Sequence, residues 1–267
     1  MMEDNKGNIN KTKDVDANQL NFLKIDMLKR GSHALSLMLR NEDIIVGLNG
    51  KTFRGTQKIL NQKLKDEETK IITIFRKEIF FNVKADGPLG IILVEVGSEE
   101  ADELLIKTQE YFKSINDLSE YREFEIYRGK KNFYDVIEIQ DNSLLASLLP
   151  FIWFYHHRLY SPLFLMVATF LLLGSIAWWL FLAAWVILTI YMSKGAMSLL
   201  RGYCLFQEMR PYMKIYTSSN KQAQEIIRSL DKKSNYRFPF IAPPEVIENI
   251  EENKDLNDKD MKASQAT

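Results

Sequence analysis

The chain has 267 residues, with 35 Lys and Arg against 35 Asp and Glu, so its formal net charge is zero. A balanced chain lacks the basic footprint of nucleic-acid binding, and its single cysteine, Cys204, cannot form an internal disulfide. The average hides a segregation, because no charged residue falls between Leu159 and Ser193.

Residues 1–18 are expected to be a disordered tail, too poor in apolar surface to offset ordering entropy and without the basic end and apolar core of a signal peptide. From 19 to 97 short β-rich runs dominate: "NFLKIDML", "DIIVGLNG", "KIITIFR", "IFFNVKA" and "GIILVEV", separated by Gly, Asn and Asp turn signals. One helical stretch among them, "GTQKILNQKLKD", carries Ile59, Leu60 and Leu64 at helical spacing. Residues 98–141 predict a helix capped by Ser98, with Glu99 and Glu100 at its positive end and an apolar stripe of Leu104, Leu105, Tyr111 and Phe112. "REFEIYRG" and "NFYDVIEI" then alternate as two strands of a hairpin around Gly129 and Lys130.

Residues 142–158, broken at Pro150 and ending in His156, His157 and Arg158, read as an interfacial or re-entrant helix. The charge-free stretch that follows would be roughly 50 Å long as one helix, against a hydrocarbon core of about 30 Å. A single span would also place Trp178 and Trp179 at the bilayer midplane, whereas tryptophan prefers the headgroup level. A turn at Gly174, Ser175 and Ile176 removes both conflicts, giving a transmembrane helical hairpin over 159–195. Arg158 before it, Lys194 and Arg201 after it and no charge at the turn put both chain ends in the cytoplasm. One tilted span and a buried soluble helix are the alternatives. Residues 196–248 predict a cytoplasmic helix, a strand at "PYMKIYT" and a helix with Ser219 and Gln222 as a capping box. Residues 249–267 are expected to be an acidic disordered tail.

The stretch "RGSHALSLMLRNEDIIVGLNGKTF" resembles the core of a bacterial PDZ domain. Gly31, Ser32 and Ala34 match its Gly-Ser-Pro-Ala segment, Asp43, Ile44, Ile45 and Val46 its strand, and Asn49 and Gly50 its turn; His33 stands where proline is usual and Glu42 where glycine is usual. The fold class expected is therefore α+β: a small PDZ-like β-rich domain, a second small α+β region and the membrane hairpin. Such a domain holds an extended peptide beside one strand, with its carboxylate on a loop of backbone N–H groups. The resemblance implies Pro88, Leu89, Gly90 and Ile91 as that loop and Gln57, Leu60 and Leu64 as the opposite wall. A fold of this type without a working groove is the competing expectation. The later segment, with Trp153-x-x-x-x-Arg158-Leu159 before the apolar stretch, is similar to small bacterial inner-membrane proteins, which implies membrane placement.

Catalytic motifs are sparse. H-E-x-x-H and G-x-S-x-G are missing, and only His33, His156 and His157 are available as histidines. No catalytic residue, metal or cofactor is expected, and Cys204 reads as a small apolar residue. His156, His157, Arg158, Trp178, Trp179 and Lys194 read as membrane anchors. The expected function is a non-enzymatic adaptor of the bacterial cytoplasmic membrane, with lipid and a peptide or protein as partners and no nucleic acid. A structural subunit of a membrane complex is the alternative, and a protease accessory ranks last.

Overall fold

The computed structural model describes residues 21–65, 69–115, 117–139 and 144–244. Both expected tails lie outside these residues. The elements run β1 (Leu23–Leu28), α1 (His33–Ser36), β2 (Ile44–Leu48), β3 (Lys51–Thr52), α2 (Gln57–Lys63), β4 (Lys70–Arg76), β5 (Ile79–Ala85), β6 (Ile91–Glu95) and α3 (Ser98–Ser114). After them come β7 (Arg122–Arg128), β8 (Phe133–Glu138), α4 (Leu144–Leu148), α5 (Pro150–His156), α6 (Tyr160–Ile176), α7 (Trp178–Phe206), β9 (Arg210–Thr217), α8 (Asn220–Leu230) and β10 (Asn235–Tyr236).

All strands join one mixed sheet in the order β10-β8-β7-β9-β5-β4-β2-β1-β6, with β3 on β2. The boundary expected at residue 97 does not interrupt it: β5 pairs with β9 at Asn82 and Tyr216, and Arg40 lies over the Tyr212 ring while donating to the Tyr212 carbonyl. One core runs across this seam, with Ile45, Ile72, Ile74 and Phe81 from the first half and Phe124, Ile126, Met213 and Ile227 from the second. On the opposite face α3 covers Phe22, Ile44 and Val46 through Ala101 and Leu104. Covered on both faces, the interior strand β2 can be aliphatic throughout, as "IIV" is.

Local chemistry explains several turns. Asn49 and Gly50 sit at φ +50° and +74°, the paired positive values of a tight hairpin turn between β2 and β3. Lys77 and Glu78 adopt the same geometry between β4 and β5 without a glycine. Asp43 closes its own turn by accepting from the Arg40 N–H at 2.7 Å, and its carboxylate grips Arg76 at 2.6 Å through both Nε and Nη2, with both residues buried. His33 is the first residue of α1, a place where proline is tolerated, and Glu42 is at φ +72°, a value glycine adopts freely.

Three sequence expectations need adjustment. The chain does not turn at Gly174–Ile176; α6 continues through Ile176, and the break is a single extended residue, Ala177. Nor does the following helix end at 195. α7 continues to Phe206, because Met192, Ala196, Leu200 and Cys204 recur every fourth residue and bury against Trp153, Phe154, Tyr127 and Ile137. Ser98 is the first residue of α3, with Gly97 at the cap and no side-chain capping bond.

α7 is the one helix among the described residues long and apolar enough to cross a membrane by length and composition, and α6 is a shorter apolar helix. Phe170 of α6 packs on Phe181 and Trp185 of α7, and Phe151 of α5 touches both Phe170 and Trp185. Away from these contacts and from the buried stripe of α7 the two helices expose large apolar side chains, with Phe164 76% and Trp178 72% exposed. The lower half of α7 is bolted to the sheet: Arg201 donates to both carboxylate oxygens of buried Glu125 at 2.8 Å, and Lys214 stands 3.4 Å from the same group.

Burial raises the Glu125 carboxyl, but the Arg201 hydrogen bonds and charge, joined by Lys214, outweigh it and hold its pKa below the ordinary value. A lowered folded-state pKa contributes stability that is fully present above the ordinary carboxylate range and is lost as pH falls through the lowered value. Glu125→Gln is therefore expected to lower the unfolding temperature at neutral pH and to flatten the loss of stability between about pH 5 and about pH 3, read by thermal unfolding in detergent. Gly47→Ala is a second test, since a Cβ there would lie 2.3 Å from Phe112 Cζ of α3. The overlap is expected to cost about 1–3 kcal/mol in chemical unfolding.

Candidate functional site

β6 is an outer strand of the sheet, so one row of its N–H and C=O groups faces away from β1. The start of α2 comes up to that row. Thr56 caps the helix by accepting from the Ile59 N–H, which fixes Gln57 in the first turn facing β6. The Gln57 amide then donates through Nε2 to the Ile91 carbonyl at 2.7 Å and accepts through Oε1 from the Leu93 N–H at 3.4 Å. A side-chain amide thus occupies the two backbone groups that an added strand would use.

The remaining residues named by the resemblance divide into two sets. Leu60, Leu64, Leu89 and Ile91 are buried in the main core, so they form the floor beneath the edge and not an open wall. Pro88 and Gly90 are exposed. The loop is tied to α1 by the Ala34 N–H, which donates to the Leu89 carbonyl at 3.0 Å. Gly90 has φ +67°, a value that glycine adopts at no steric cost, and it faces Ser32 across a gap a methyl group would just fill. The Ser32 hydroxyl is buried with no hydrogen-bond partner among the described residues. Sequence reasoning did not single out Ser32 as part of the loop. Its signal was only the dipeptide Gly31-Ser32, which the fold brings beside Gly90.

The residues expected at the membrane surface group elsewhere. Trp178 and Trp179 begin α7 beside Ala177 and are exposed, and Lys194 is exposed on the same helix. His156, His157 and Arg158 link α5 to α6. The two histidine rings stand at 89° to one another, and His157 lies 4.5 Å from the Trp153 ring. Burial, followed by the neighbouring His156 charge, pushes His157 down to about 4, so it is neutral at physiological pH. These three residues border a cavity of about 600 Å³ that also meets Asp135, Arg237 and Phe238. The cavity escaped sequence reasoning because Arg237 and Phe238 lie some eighty residues from Arg158 in the chain.

Among the described residues, no three His, Cys, Asp or Glu side chains come together as a metal site. Cys204 is buried in the α7 stripe, 3.9 Å from Asp135. No family model matches the chain, and no curated protein matches it in sequence.

Gly90 is a sensitive position. Gly90→Ala forces a Cβ into a left-handed backbone, at about 1 kcal/mol. It is expected to lower stability by that amount and to shift the Ser32 and Leu89 amide resonances while leaving those of α8 unmoved.

Proposed function

We propose that this chain is a non-enzymatic adaptor of the bacterial cytoplasmic membrane that receives the extended C-terminus of a peptide or protein along the outer edge of its PDZ-like β6. The observation that carries this is the Gln57 amide on Ile91 and Leu93. It mimics one peptide unit of a missing strand, and swinging it away releases a donor and an acceptor on β6 at the spacing a strand requires. Ser32 supports the same reading, since its unpartnered hydroxyl adjoins Gly90 at the end of the edge where a terminal carboxylate would stop.

The membrane part of the proposal is a two-helix hairpin formed by α6 and α7. Its support is topological: β7 lies before the apolar helices and β9 after them, yet they share one antiparallel ladder from Arg122–Thr217 to Arg128–Arg210. Two strands in one ladder lie on one side of a bilayer, so the segment between them crosses an even number of times. α6 and the charge-free part of α7 each rise about 25 Å, a few Å short of the hydrocarbon core, a mismatch that modest thinning absorbs. On this topology both chain ends face the cytoplasm.

A second reading, a structural subunit with no peptide exchange, draws on the continuity of the sheet, which leaves no separately hinged module. Peptide titration separates the two. Full-length protein in detergent is expected to show shifts at Gly90, Ile91 and Leu93 with a C-terminal peptide library, and Gln57→Ala is expected to tighten binding about fivefold by removing the competing amide. A library that leaves these resonances unmoved in both proteins eliminates the adaptor reading. The hairpin is tested by cysteine labelling in a Cys204→Ala background: Lys58→Cys and Lys232→Cys are expected to react from one membrane face and Ala177→Cys from the other.

A further inference from the structure

The cavity at the foot of α6 takes no part in peptide binding. Its polar side is sheet surface, with Asp135 and Glu138 of β8, and its opposite side is the α5–α6 link. Both acids are already paired: Asp135 with Arg237 at 3.2 Å and Glu138 with Arg122 at 2.8 Å. Arg158 has no anionic partner among the described residues. Its guanidinium lies 4.2 Å from the centre of the Phe238 ring, a contact that positions the cation without neutralising it. The Phe238 segment is itself held, because Gln224 donates to the Phe238 carbonyl at 2.7 Å and accepts from the Phe240 N–H at 2.8 Å. The cavity therefore presents one uncompensated positive charge on a fixed aromatic support.

The side of the cavity facing the apolar helices has a different chemistry. Tyr155, Tyr160 and Phe240 are exposed around its mouth, amphipathic rings of the kind that settle at a headgroup layer. From Tyr160 one face of α6 continues through Phe164, Val167 and Leu171, at helical spacing and all exposed. A cation pocket thus opens directly onto an apolar stripe. A soluble anion has no use for the stripe, and a bare acyl chain has no use for the cation; an amphiphile with an anionic head satisfies both.

We propose that this cavity binds one anionic phospholipid, with its phosphate against Arg158 and an acyl chain along Tyr160, Phe164, Val167 and Leu171. The inference rests on the membrane placement proposed above and is independent of peptide binding at β6. It differs from general attraction to a charged surface, because it assigns selectivity to one residue and a stoichiometry of one lipid per chain.

The test uses the full chain reconstituted in nanodiscs of phosphatidylglycerol and phosphatidylcholine in equal amounts, then released and weighed intact with its retained lipid. One phosphatidylglycerol per chain is expected. Arg158 sits at φ +54°, so Arg158→Gly removes the charge at a position whose backbone suits glycine. That variant is expected to lose the preference for phosphatidylglycerol by about tenfold, the scale of a charge-assisted contact, while Arg158→Lys keeps most of it. Lys232→Gln, an equal change of charge away from the cavity, is expected to behave as wild type. The proposal is overturned if Arg158→Gly retains phosphatidylglycerol like wild type, if Lys232→Gln loses it equally, or if both lipids are retained without preference. It is also overturned if inorganic phosphate alone stabilises the detergent-solubilised chain in an Arg158-dependent way, which would mark a soluble-anion site. Flotation with vesicles separates the two levels: a chain that does not float removes the membrane placement as well, and one that floats without lipid preference removes only this site.

Discussion

The pairing of β7 with β9 is the constraint on which the architecture depends. The two strands stand on either side of the apolar helices in sequence and side by side in space, with seven registered pairs between them. Once that ladder forms, the ends of the apolar segment are held together and everything between them must leave the sheet and come back. Among the described residues β9 also carries the only strand contact between the halves, at β5, so the same ladder makes one sheet of what the sequence suggests are two domains. Removing β9 would remove the strand that links the second half of the sheet to the first.

The electrostatics concentrate where this constraint is tightest. Glu125 lies opposite Lys214 in the ladder, accepts from Arg201 on α7 and from the Tyr127 hydroxyl, and is buried. A carboxylate so placed would be expensive alone, and its cost is offset only because three donors converge on it. The group therefore acts less as a source of net stability than as a register pin, fixing how far along the sheet α7 is seated. The proposed peptide edge lies at the other end of the sheet, six strand spacings or about 29 Å from β7. The apolar helices and the edge are thus separated by a continuous hydrogen-bonded layer, which holds the edge at a set distance from the seat of α7.

Short-range chemistry in this chain is legible and long-range chemistry is not. The aliphatic run at Ile44–Val46, the Asn49-Gly50 turn, the hairpin about Gly129 and the Ser219 cap on the Gln222 N–H all follow from spacing and residue type, and all are present. The helix ends are harder. α1, α5 and α7 each finish with a left-handed residue and the paired bonds of a Schellman turn, but that residue is Met38, Arg158 or Glu208, never glycine, so the usual stop signal is missing. Gly174 drew attention as a break because glycine breaks helices, whereas Ala177 ends α6 without any such mark. The candidate edge illustrates the same limit. Gln57 was legible as a helical residue near a possible groove, but that its amide pairs with Ile91 and Leu93 depends on the distance between two elements some thirty residues apart, which no local pattern encodes.

The order in which such a chain can assemble follows from the same geometry. Between Arg128 and Arg210 lie roughly 80 residues, and closing a flexible loop of that length costs about 4 kcal/mol beyond a constant. Helix formation changes this sum, because α6 and α7 packed through Phe170, Phe181 and Trp185 bring Leu159 and the lower half of α7 into one cluster with Met192 and Leu200. The loop left to close is then only the short stretch on each side of that cluster. β9 then lies beside β7 as a neighbour, with Arg201 of α7 within reach of Glu125. Aromatic packing among the apolar helices and the pairing of strands outside them therefore support one another, so that weakening the Phe170 contacts raises the loop-closure cost of the β7–β9 ladder and, through β9, loosens the β5–β9 seam.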